Sequence, residues 1–141
     1  MKRYRFVPIV LLALVSLRCE HAQPFEPEPL PQAPALADIQ TSVFSVSCAV
    51  QGCHAGANAI MGLDLSEGLS HANIVNVPSV ESPDLMLVKP GDPDNSYLVA
   101  KIEGSALVKA GTFRMPLGRE PLSDDVIQAV REWIEAGAKN D

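Results

Sequence analysis

A small all-α domain, with short helices joined by long loops, is the fold class this sequence predicts. Three observations predict it. The stretch from Ser123 to Gly137 has helical apolar spacing and capping residues at both ends. Two weaker helical patterns precede it, from Ala37 to Ser47 and after Ser96. Between them proline and glycine interrupt regular structure, as at Pro78, Pro83 and Pro90-Gly91. Long loops in a compact domain are usually functional or anchored to something.

The N-terminus reads as an export signal. Met1 to Arg5 is basic, and Phe6 to Leu17 is an apolar run of twelve residues, interrupted only by Pro8 and Ser16. That run is short for a membrane span and suits a signal core. Residues 1–19 are therefore set apart as a signal peptide. Cys19 stands where a lipoprotein signal places its lipidated cysteine, although Arg18 is large and charged where a small residue is expected. Cleavage near Ala22 is the alternative, and there Glu20 is unfavourable. Residues 20–36 form an acidic, proline-rich linker, with Pro24, Pro27, Pro29, Pro31 and Pro34 around Glu26 and Glu28. Such a composition gives an extended, semi-stiff spacer without a core. It would hold a domain off a membrane.

One domain remains, residues 37–141. From Cys19 onward seven basic residues face seventeen acidic ones, since Lys2, Arg3, Arg5 and Arg18 leave with the signal, so the formal charge is −10. With no basic patch or stripe, nucleic acid is excluded as a partner. The first helix, Ala37 to Ser47, has Asp38 as its N-cap and Ile39, Val43, Phe44 and Val46 on one apolar face. Met61 to Leu65 is extended, and Ser66 caps a weak turn through Ser70. Asn76 to Asp84 is loop, followed by the short apolar run Leu85 to Val88. Asp94, Asn95 or Ser96 caps a helix that carries Tyr97, Leu98 and Ile102 and stops at Gly104. Another loop runs to Pro121. The last helix starts at the N-cap Ser123, with Asp124 and Asp125 at the positive end of its dipole. Val126, Ile127, Val130, Trp133 and Ile134 share a face, and Gly137 stands at C′.

The chemistry concentrates in Cys48-Ala49-Val50-Gln51-Gly52-Cys53-His54. Covalent haem attachment needs two thiols for the two vinyl groups and an imidazole beside the second thiol for the iron. Four residues separate the cysteines here instead of the usual two, and the extra pair can loop outward. Attachment of this kind takes place outside the cytoplasm in bacteria, in agreement with an export signal. A buried haem would also add apolar contact to a thin core. Other readings of the pair are a disulfide, which export permits, and a zinc site, for which no fourth ligand is evident.

In order along the chain, this haem site, Gly62-Leu63-Asp64-Leu65, Lys89 to Leu98, Arg114-Met115-Pro116, Leu122 to Ile127 and Trp133 to Ala138 resemble the small monohaem cytochrome c domain, and most closely the planctomycete-type cytochrome c family. The resemblance covers most of Ile39 to Ala138. It implies a small helical bundle with long loops around one covalent haem c, thioethers at Cys48 and Cys53, His54 as proximal iron ligand and Met115 as distal ligand. Two positions depart from the family pattern: the cysteine spacing, and Ala55 where a glycine commonly follows the histidine. Pro116 favours an extended Met115, which suits presentation of its thioether. Met61, Met86 and His71 are the rival distal ligands, with Met86 reading as core packing and His71 giving a bis-histidine iron.

Function follows as an expectation. A His/Met pair closes both axial sites, which favours extracytoplasmic electron transfer with redox protein partners and disfavours enzymatic chemistry. Two other classes stand beside it. One is a haem-free, disulfide-stapled binding module, secreted or lipid-anchored. The other is a haem sensor or catalytic haem with a displaceable Met115.

Overall fold

The computed structural model describes residues 33–141. The expected signal peptide, Cys19 and nearly all of the linker lie outside the described residues. Helix α1, Leu36–Ile39, runs directly into a π-helical segment, Gln40–Cys48. Helices α2, Ser70–Ile74, α3, Tyr97–Glu103, and α4, Asp124–Glu135, follow, with 3₁₀ turns at Ile60–Gly62 and Pro93–Asn95. Among the described residues no helix is long and apolar enough to cross a membrane.

The expected all-α helical bundle is not what forms. Helix of all kinds makes up 39% of the described residues, in four short α-helices, the π-helical segment and the two 3₁₀ turns, and there is no strand among them. The reason lies in the punctuation of the chain. Isolated helices of this length are marginal in water and hold only by packing. The loops between them are pinned individually. Val75 bridges Val88, Pro78 bridges Met86, and Met86 bridges Ser96. Such isolated bridges do not amount to a sheet, so the chain does not plainly join another class either.

The first helix also differs in detail. It begins at Leu36, which is buried, so the linker stops short of residue 36. Asp38 is not the N-cap. It lies one turn in, where its carboxylate accepts from the Ala35 N–H. The Leu36 and Ala37 N–H groups donate to Asp141, at the far end of the chain. From Gln40 the helix widens, closing with an i→i+5 bond from Ala49 N–H to the Phe44 carbonyl. Each such turn takes up about one residue more than an α-turn. Ile39, Val43 and Phe44 therefore stay in the core, while Val46, seven residues after Ile39, swings out and is 60% exposed.

The core joins Ile39, Val43 and Phe44 to Leu65, Ile74, Val88, Val99 and Ile102, and to Ile127, Val130, Trp133 and Ile134 of α4. Gln40 ties the widened helix to α2. Its amide donates to the Leu65 carbonyl and accepts from the Ser70 hydroxyl. Arg131 on α4 pairs with Asp94 and Glu103.

Gly104 ends α3 in the left-handed region, at φ 70°, and a Cβ there would lie 2.9 Å from Arg114 Cδ. Gly104→Ala should therefore cost on the order of 1–2 kcal/mol, from left-handed backbone strain and displacement of Arg114. Urea unfolding followed by circular dichroism measures the loss. An unchanged midpoint would show that the helix end adjusts freely.

Candidate functional site

The helix that widens at Gln40 ends at Cys48, and the chain then folds back on itself. The Cys53 N–H donates to the Val50 carbonyl, making a tight turn with Gly52 at φ 82°, a conformation that suits glycine. The His54 N–H returns to the Cys48 carbonyl at 3.1 Å and closes the loop. Gln51 and Gly52 form the exposed tip. The four-residue spacing is thus taken up by an outward turn. The His54 carbonyl accepts from Leu65 N–H and the Cys53 carbonyl from Ile60 N–H, which fastens the loop to the following segment.

Cys48, Cys53 and His54 line a mostly apolar cavity of about 480 Å³. Its wall continues through Leu63, Leu65, Leu87, Leu98 and Ile102, and it includes Met115, Pro116 and Leu117. That volume lies within the range of about 300–1,000 Å³ usual for sites of small molecules and cofactors. Both thiols are unpaired and partly buried. Burial pushes the Cys48 thiol up to about 11, against a smaller lowering by the Arg119 charge. With His54 they do not converge into a metal-holding group of His, Cys, Asp and Glu side chains among the described residues. This is a single imidazole on the wall of a cavity, not a zinc-like cluster.

His54 Nδ1 is buried and has no hydrogen-bond partner. No backbone carbonyl lies within hydrogen-bonding reach of it. Leaving such a group unsatisfied costs about 1–3 kcal/mol, so its presence here marks a side chain placed for something other than stability.

Met115 is held by two bonds to the end of α3. Its N–H donates to the Lys101 carbonyl at 2.8 Å, and Arg114 Nε donates to the Ile102 carbonyl at 2.8 Å. The Met115–Pro116 peptide is cis. Of the rival ligands, Met61 also lines the cavity, from a left-handed backbone at φ 59° and largely exposed. Met86 and His71 are not on its wall. Met86 sits in the bridges to Pro78 and Ser96, and His71 Nε2 bonds the Ala138 carbonyl at 2.9 Å. Trp133 is core, with its indole N–H on the Lys139 carbonyl.

Sequence reasoning missed a polar cluster on the same wall. Glu81 Oε2 accepts from the Tyr97 hydroxyl at 2.9 Å and from the Lys101 ammonium at 2.8 Å. Burial raises the Glu81 carboxyl, but the Lys101 and Tyr97 hydrogen bonds and the Lys101 and Lys109 charges outweigh it and hold it below the usual carboxylate range. No local pattern signals a pairing across sixteen and twenty residues. Searches for similar proteins return no match for this chain, whether among family models, curated proteins or solved structures.

Proposed function

We propose that this chain is exported and transfers electrons outside the cytoplasm through one covalently bound haem c. The observation that carries the reading is the gathering of Cys48, Cys53, His54 and Met115 on one apolar cavity. The ordered motifs shared with planctomycete-type cytochrome c domains support it. When bound, the haem supplies a one-electron iron couple. Cys48 and Cys53 supply the sulfurs of the two thioether bonds. His54 and Met115 would hold its iron from the wall of the same cavity, a donor set suited to electron transfer and not to turnover of a substrate. Leu65, Leu87 and Leu98 would offer the group an apolar face. A redox protein is the partner, and Cys19 offers a lipid tether to a membrane.

The decisive experiment is expression with a cytochrome c maturation system. The denatured, reduced chain should stain for haem, and its intact mass should include one haem. A mature chain without haem mass and with a Cys48–Cys53 disulfide would return the function to a stapled binding module.

Met115 has its own test. The ferric protein should show the weak near-infrared band of sulfur-to-iron charge transfer. Met115→Ala should remove the band, admit cyanide at the sixth site and lower the reduction potential. Met86→Ala and His71→Ala should leave the band intact. Loss of the band in Met61→Ala, with Met115→Ala unaffected, would transfer the ligand role to Met61.

A further inference from the structure

The Glu81–Lys101 pair ties the loop before Leu85 to α3 on the cavity wall. Its side chains are 25% and 10% exposed respectively, on a wall that is otherwise largely apolar. Helix α3 is already seated in the core by Val99, Ala100 and Ile102. Replacing an enclosed ion pair with apolar side chains is often neutral or stabilising, so stability alone does not explain this one. Tyr97 is buried beside it. The Tyr97 hydroxyl donates to Glu81 and accepts from the Lys109 N–H at 3.4 Å, while its ring centroid lies 5.9 Å from Lys101 Nζ. The carboxylate is thereby fixed on the cavity wall by two donors.

A fixed charge in a low-dielectric wall acts strongly on any change of charge beside it. One-electron reduction lowers the charge inside this cavity by one. Resting on the haem reading above, we propose that Glu81 and Lys101 set the reduction potential of the bound iron, with Glu81 favouring the oxidised form and Lys101 the reduced form. The electron comes from an external one-electron donor. No bond forms or breaks at either side chain, and no proton moves, because the ion pair is present in both states.

The test is a spectroelectrochemical titration of the haem-loaded full chain. Glu81→Gln keeps the shape of the cluster and leaves Lys101 uncompensated. It should favour reduction by about tenfold or more, a rise of ~59 mV for one electron. Lys101→Met should shift the potential the opposite way, and the double variant should return towards the parent. Lys101→Arg keeps the charge and should stay within about threefold of the parent equilibrium, as should Tyr97→Phe. If Lys101→Met does not fold, Glu81→Gln and Lys101→Arg still decide the matter. A Glu81→Gln potential that falls, or stays within about threefold of the parent equilibrium, overturns the proposal. So does a Lys101→Arg potential displaced as far as that of Glu81→Gln. Haem mass is recorded for every variant. A parent without haem overturns the functional reading and this proposal together, whereas a loaded parent indifferent to both charges overturns this proposal alone.

Discussion

Replacing both Cys48 and Cys53 with serine is expected to abolish covalent haem attachment. After acid and thiol treatment the parent should keep the mass of one haem, and the double variant should have none. Each single variant should keep a haem on one thioether. The effect should extend to stability, since the cavity of about 480 Å³ runs beside the core residues Leu65 and Ile102. A domain this small has little apolar burial to spare, so the unloaded variant should unfold at lower urea than the loaded parent. Haem mass persisting in the double variant would place attachment elsewhere in the chain.

Trp133→Ala should destabilise by on the order of 3–5 kcal/mol. The indole is 1% exposed and sits in the core with Phe44 and Val130. Truncation leaves a large void and strips the Lys139 carbonyl of its donor. Against a total stability of about 5–15 kcal/mol, that loss is a large fraction. Trp133 is the single tryptophan, so unfolding of the variant has to be followed by circular dichroism, not by indole fluorescence. Trp133→Phe should recover most of the burial and isolate the hydrogen bond, worth about 1 kcal/mol. A loss below about 1 kcal/mol for Trp133→Ala would mean that this helix face is not part of the core.

Helix α4 was legible because its signals are local. The two aspartates, the apolar spacing and Gly137 all act within one element, and Ser123 stands at the N-cap although its side chain makes no capping bond. The same holds for Gly104 at the end of α3. The π-helical segment left no such trace, because its register is imposed by the core, and Val46 was misplaced as a result. Helix α2 was hidden for a similar reason. Ser-His-Ala-Asn-Ile has no apolar periodicity, and its partners Gln40 and Asp64 come from other segments. The bundle expectation failed because helical patterning says where helices form, not that they are long enough to pack as a bundle. In the site, Cys48, Cys53 and His54 form a contiguous motif and could be found by reading. Glu81, Tyr97 and Lys101 could not, since only folding brings them together.

The pushed-up Cys48 thiol bears on timing. At neutral pH a thiol with a pKa of about 11 is ionised in only about one molecule in ten thousand. Thiolate is the species that attacks disulfides and oxidants. An oxidising compartment would normally close two neighbouring cysteines quickly. Enclosure of Cys48 at the end of a widened helix thus makes it the slow partner in any such reaction, and closure of the pair by attack of its own sulfur is retarded in the folded chain.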